Sequence, residues 1–467
     1  MSSSDSSGPE PKPTALSPVT VPFRMAVKAW FLISLQTFGG PAGQISVMHR
    51  TLVDEKRWIG EKRFLHALNY CMLLPGPEAQ QLAIYVGWLL HGTRGGLVAG
   101  SLFVLPGAVA LLLLSAVYMA YGSTTVVASL FAGLAPAVLA IVAQAVVRVG
   151  RKALRRPALV ALAVTAFLAL TFFAVPFPLV VAAAGLIGWA LGRWWPDTVT
   201  TTSSQGQAPD GPAPLISDDV LHAELPSRAR TTKTLLIGLA IWWLPVLAVV
   251  ALTGTGSVFT QMGLFFSGTA VVTFGGAYAV LAYVAQKAVE VYGWLGPGEM
   301  VRGLALAETT PGPVIMVVQF VAFLGAYRNP GALDPWAAAV LASLLVTWVT
   351  FVPCFLFVFL GAPYMEKLRG NKALSAALTG VTAAVVGVIA NLGVYFAVHT
   401  LFASTAPWTW GPLTLELPDL ASLRPYAAAL TAIAAVLLFR LKISVLKTLG
   451  VCAGLGLIAG MVGLPVA

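Results

Sequence analysis

Charge is what this chain has least of: 10% of its 467 residues are Asp, Glu, Lys or Arg, while 58% are hydrophobic. A soluble globular domain carries about 25% charged residues. The composition therefore excludes that class, and a mean hydropathy of +0.84 places the chain among polytopic membrane proteins. Cysteine is nearly as scarce. Cys71, Cys354 and Cys452 stand far apart in apolar stretches, which excludes a disulfide framework and a Cys-based metal site. Also missing are a Cys/His cluster at metal-ligand spacing, a Gly-x-Ser-x-Gly elbow and a phosphate-binding glycine loop ending in Lys-Ser/Thr. No cofactor, no metal and no enzymatic or ATP-driven chemistry is expected. The net charge of +10 belongs partly to membrane-flanking loops and implies no nucleic acid.

Apolar, charge-poor stretches are what the chain has instead. Those approaching the ~20 residues needed to cross a bilayer are 29–48, 64–90, 97–121, 124–147, 158–175, 177–192, 234–252, 258–286, 303–327, 335–363, 373–398, 425–439 and 448–467. Val175-Pro176-Phe177-Pro178 separates the fifth from the sixth as a tight turn. The reading is an all-α membrane protein of about 13 transmembrane segments. Residues 1–24 form a disordered cytoplasmic tail, 194–233 a hydrophilic linker, and 234–252 a connecting transmembrane helix between units 25–193 and 253–467.

Those two units are a repeat. Phe38-Gly39-Gly40 recurs as Phe274-Gly275-Gly276, and the same offset of 236 (274 − 38) carries Trp58 onto Trp294 and Pro75-Gly76-Pro77 onto Pro311-Gly312-Pro313. Further on, Pro106 pairs with Pro353 and Gln144 with Asn391 at an offset of 247 (353 − 106), which puts an insertion near Arg328-Asn329-Pro330-Gly331. Seven stretches separate the two copies, an odd number, so the halves (6+1+6) are expected to be inverted. Loop charges agree. Arg148, Arg151, Lys152, Arg155 and Arg156 face an acidic counterpart loop at 399–423, while uncharged Gly122-Ser123 faces Lys367, Arg369 and Lys372. The N-terminus is then cytoplasmic and the C-terminus extracytoplasmic. One loop dissents: 49–63 should lie outside yet holds Arg50, Lys56, Arg57, Lys62 and Arg63. Three readings stand. Its acids moderate the signal, the loop is a basic vestibule for an anion, or 64–74 and 78–90 form a re-entrant hairpin.

Inverted repeats with glycine- and proline-broken helices are the architecture of secondary transporters, with substrate held at the breaks near mid-membrane. A broken helix leaves backbone N–H groups free, and its N-terminus attracts anions. Substrate-binding candidates are Gly39, Gly40, Ala42, Gly43, Gln44, Gly76, Gln80, Gln81, Gly275, Gly276, Thr309, Thr310 and Gly312. Glu78 and Glu308 are the acids well inside the stretches and the proton-coupling candidates. Glu78 has an ordinary alternative, favourable placement in a helix's first turn; Glu308 sits before its break, where the dipole gives no such help. Lys56, Arg57, Lys62 and Arg302 are candidates for steering an anion, or ordinary headgroup anchors. Pro41 and Gln44 become Ala277 and Val280 in the second copy, which weights the chemistry toward the first half.

The segments Phe38-Gly39-Gly40-Pro41-Ala42-Gly43-Gln44 and Leu68 through Ala83, with Ala307-Glu308-Thr309-Thr310-Pro311-Gly312-Pro313, resemble the chromate ion transporter family in its long, two-repeat form, over essentially all of 25–467. The resemblance implies an inner-membrane protein of oppositely oriented halves that exports chromate, uses the proton motive force and confers chromate resistance. Chromate is a tetrahedral dianion close to sulfate, so a site made of backbone N–H groups is expected to admit sulfate as a competitor. A sulfate or other oxyanion carrier of the same fold is the alternative. Protons and the lipid bilayer are the remaining partners, and a homodimer is the one assembly kept open.

Overall fold

In an apolar chain helices end where the sequence removes a donor or supplies a cap, and both devices recur here. The computed structural model describes residues 21–195, 216, 222, 227–274, 276–296, 298–364, 371–410 and 413–463. Most of the tail and linker, Gly275, Lys367 and Arg369 lie outside them. The helices are α1 (Phe23–Ser34), α2 (Gly40–His49), α3 (Glu61–Cys71), α4 (Glu78–Tyr121), α5 (Thr125–Ala153), α6 (Pro157–Phe173), α7 (Phe177–Trp194) and α8 (Arg228–Thr253). The second half follows with α9 (Val258–Val272), α10 (Ala277–Gln286), α11 (Glu299–Thr309), α12 (Val317–Arg328), α13 (Pro335–Gly361), α14 (Lys372–Leu401), α15 (Pro425–Ala435) and α16 (Val445–Met461).

Pro157, Pro335 and Pro425 open their helices at a position where the missing N–H costs nothing. Ser257 caps Thr260 at 3.1 Å, and Asp334 caps Trp336 and Ala337 at 3.0 and 3.1 Å. The turn between α6 and α7 falls at the expected Val175-Pro176. Six helices among the described residues are long and apolar enough to cross a membrane, and several shorter apolar ones accompany them. An all-α reading needs one amendment. The acidic loop after α14 carries a two-stranded antiparallel hairpin, Thr405–Trp410 with Leu413–Pro418, rich in the Thr and Trp that favour strands.

Four of the apolar stretches do not run straight. As one helix, Phe265 and Tyr283 would stand ~27 Å apart at 1.5 Å per residue, yet their rings lie 5.4 Å apart. α9 and α10 therefore form a hairpin whose tip is the Phe-Gly-Gly break. α11 and α12 do the same. Arg328, the last residue of α12, donates two hydrogen bonds of 2.7 Å to Glu299, the first residue of α11. In the first half Tyr70 and Tyr85 stand with ring centroids 5.0 Å apart on either side of Pro75-Gly76-Pro77. α1 and α2 return likewise to one base, where His91 Nε2 lies 2.7 Å from the Val21 carbonyl and His49 lies 2.5 Å from Glu61.

α4 itself reverses at His91-Gly92, where Gly92 takes φ 58. Its short limb, 78–90, packs back on its long limb, 93–121, with Gly87 against Gly95 and Ala99. The long limb is ~43 Å from end to end. One end carries the base of the first-half hairpins at His91; at the other, Tyr118 contacts Glu299 at 3.2 Å, the base of the second-half hairpins. Of the linker, His222 donates its N–H to the Leu89 carbonyl at 2.7 Å, and Ile216 is buried in the same cluster as Trp88.

Candidate functional site

The hairpin tips meet beside Gly107 of α4 and Cys354 of α13. Gly76 donates its N–H to the Thr273 carbonyl at 2.7 Å, and Gly312 donates to the Thr37 carbonyl at 2.9 Å. These are one bond made twice. Gly312 is Gly76 plus 236 and Thr273 is Thr37 plus 236, so each Pro-Gly-Pro tip pairs with the Phe-Gly-Gly tip of the other half. Gly107 of α4 lies against Pro311 and Gly312, and its counterpart Cys354 of α13 lies against Gly76. Gly76 and Gly312 have φ of 122° and 99°. That region is open to glycine and strained for any other residue.

Around this lock the candidates assemble unequally. Gln44, fully buried on α2, donates Nε2 to the Gly312 carbonyl at 2.5 Å, a second tie between the halves. Gln81 donates to the Pro75 carbonyl of its own tip at 2.6 Å. Tyr278, in the first turn of α10, donates its hydroxyl to Glu308 at the end of α11, and Gly40 packs beside the same hydroxyl. Thr309 and Thr310 spend their protons on the Leu306 and Ala307 carbonyls, at 2.8 and 3.0 Å, leaving oxygen lone pairs. Gln80 is buried with neither amide atom paired, as are Gln81 Oε1 and Glu308 Oε2 among the described residues.

α2, α4 and α10 all begin at this level without a side-chain cap. Their first N–H groups and positive dipole ends are turned to the tips, so the arrangement suits an anion. Gly39 takes φ 77° as the cap residue of α2, and Gly43 packs on the Phe38 carbonyl. Ala42 is exposed and Gly276 half-buried at their tips, and Glu78 opens α4. Gly275 lies outside the described residues.

The steering candidates are elsewhere. Lys56 stands over the Trp58 ring at 5.2 Å, and Arg57 and Lys62 are exposed at the base of the first-half hairpins. Arg302 donates to the Tyr118 hydroxyl at 3.2 Å in the network at the opposite base. There, burial pushes the Glu299 carboxyl up, but the Arg328 and Gly296 hydrogen bonds outweigh it and hold the group below the usual carboxylate range.

Three contributors were not among the expected site residues. The carbonyls of Thr37 and Thr273 were legible, because the repeat is Thr-Phe-Gly-Gly in both halves. Tyr278 gave no signal of its own, since its counterpart at the offset of 236 (278 − 42) is Ala42 and nothing pairs it with Glu308 until α10 folds back.

The sequence profile described as chromate transporter matches residues 25–189 and 260–459, one match per half. A chromate transport protein of Cupriavidus metallidurans is 30% identical over 385 residues, 82% of this chain and 84% of that protein. One from Pseudomonas aeruginosa is 31% identical, covering 76% of each chain. A probable chromate transport protein of Synechococcus elongatus is 30% identical over 76% of this chain and 79% of its own. No solved structure matches the chain.

Proposed function

The chain belongs to the chromate transporter family, and from that premise we propose that it is a secondary transporter exporting chromate across the inner membrane, driven by protons and conferring chromate resistance. The observation that carries this reading is the doubled bond between tips, Gly76 to Thr273 and Gly312 to Thr37. It puts uncapped helix N-termini from both halves around one point beside Gly107 of α4, where a tetrahedral dianion is held by N–H groups and released without breaking a full ion pair. Alternating access is rocking of one half on the other about that point.

In this account the four hairpins are re-entrant, which takes four of the thirteen stretches out of the crossing count and leaves nine. Each half loses two, so the number between the copies falls from seven to five and the halves stay inverted. The basic loop 49–63 then lies at the His91 end, with the Arg148–Arg156 loop, in the cytoplasm. Its charges cease to dissent. The N-terminus is cytoplasmic, the C-terminus outside, and the domain bounds are those expected from the sequence.

Glu308 exchanges the proton, with Tyr278 as its partner, while Glu78 serves the first turn of α4. In everted vesicles an acid interior drives chromate inward, and Glu308→Gln removes that stimulation. If Glu78→Gln and Glu308→Gln both leave the pH-gradient dependence intact, coupling through these acids is wrong. The membrane potential would then suffice, at about 2.3 kcal/mol per charge per 100 mV. Sulfate is the second reading, because backbone N–H groups discriminate weakly between tetrahedral dianions. Titrating sulfate against labelled chromate ranks the two.

A further inference from the structure

Gln144, Arg148 and Lys152 recur every fourth residue on α5 and so share one face of its last turns. Arg148 donates Nη2 to Gln144 at 2.9 Å and makes no salt bridge among the described residues. α5 packs against α11, the helix whose last turn carries Glu308, and Lys152 stands exposed at the far end of the stripe. A ladder of polar and cationic groups thus leads from the exposed end of α5 toward the helix that carries the buried Glu308 carboxylate. The offset of 247 (391 − 144) carries this ladder onto Asn391, Tyr395 and His399 of α14, where it holds no Lys or Arg. There Asn391 donates to Thr171 at 3.0 Å, and the buried Tyr395 hydroxyl has no partner among the described residues. His399 Nε2 stands 3.4 Å from Glu416. Glu290 is within electrostatic reach of both, offset by Lys287, and Arg424 touches the His399 backbone carbonyl.

We propose that Gln144, Arg148 and Lys152 form the cytoplasmic vestibule that captures the oxyanion and hands it to the hairpin tips, and that the equivalent stripe on α14, which holds no Lys or Arg, makes capture from outside weak. The proposal rests on the chromate reading above. The driving ion gradient sets net direction; the unequal stripes set the affinity seen from each face. Two cations beside a dianion path raise its local concentration by ~10- to 1000-fold, an effect that salt screens.

Initial chromate uptake is measured in everted and right-side-out vesicles at low and high salt. In everted vesicles Arg148→Gln and Lys152→Gln are each expected to raise KM about tenfold at low salt while Vmax stays within twofold, and to flatten the salt dependence of KM. Arg148→Lys keeps the wild-type KM, and Arg151→Gln, which removes a charge from the same helix end but another face, changes nothing. Right-side-out KM is unaltered throughout. An unchanged everted KM in both stripe variants, or an equal rise in Arg151→Gln, overturns the vestibule. Wild-type vesicles that take up no chromate overturn the functional reading itself.

Discussion

The two halves share a frame and differ in what they hang on it. Both fold two hairpins, both carry a π-turn at the base, at Arg50–Glu55 and Lys287–Val291, and both pair a Pro-Gly-Pro tip with the other half's Phe-Gly-Gly tip. Their side chains diverge at the tips. The first half brings amides, Gln44, Gln80 and Gln81; the second brings Tyr278 and Glu308. Sequence alone weighted the chemistry toward the first half. The geometry divides it, with amide groups from one repeat and a hydroxyl-carboxyl pair from the other converging on one point. Duplication supplies a backbone site that only glycine adopts freely, and substitution at a few equivalent positions supplies its chemistry.

The sharpest way to break the equivalence is at the paired glycines. Both have positive φ, but a Cβ at Gly76 would stand 2.8 Å from Cys354 Sγ, whereas at Gly312 nothing comes nearer than 3.5 Å. Gly76→Ala is therefore expected to cost more than Gly312→Ala, by about 1–3 kcal/mol beyond the shared backbone strain. In vesicle transport at equal protein level that is a loss about 5- to 150-fold greater; equal losses would show that φ alone matters. Next comes Gln44→Ala, which leaves the buried Gly312 carbonyl without its donor at about 1–3 kcal/mol. Val280→Ala at the equivalent position makes no such bond. Transport by the first should fall about tenfold and by the second less than twofold; matching effects would remove the claimed asymmetry.

The smallest effect concerns the base of the second-half hairpins. Glu299 is held below its ordinary range, so its contribution to stability is present above the unfolded carboxylate value and is lost as pH falls through the folded one. The Tm difference between wild type and Glu299→Gln in detergent should be a few degrees at neutral pH, shrink once pH falls below about 4, the unfolded carboxylate range, and vanish only beneath the lowered folded value. A difference constant with pH contradicts the ion-pair account.

Much of this was written in the chain. The repeat, the breaks and the turn at Val175-Pro176 follow from glycine and proline in apolar runs, where each interruption of the helical ladder must be compensated. The direction of the chain after a break was not written. Periodicity is identical for a helix that continues and one that folds back, so 258–286 reads as one span, and the 5.4 Å between Phe265 and Tyr283 decides against it. The basic loop at 49–63 was the one clue. Tyr278 stayed hidden for the same reason, since its contact with Glu308 is created by two hairpins folding against each other.

The central claim, that re-entrant hairpins open to opposite faces and lock tip to tip, is tested most directly by sided labelling. Cys71, Cys354 and Cys452 are buried and expected to be silent toward an impermeant maleimide. Arg57→Cys and Val291→Cys place single thiols at exposed positions in the equivalent basal loops of the first and second half. The account predicts that the reagent reaches the first only from the cytoplasmic face and the second only from outside. Labelling of both from one face would contradict it.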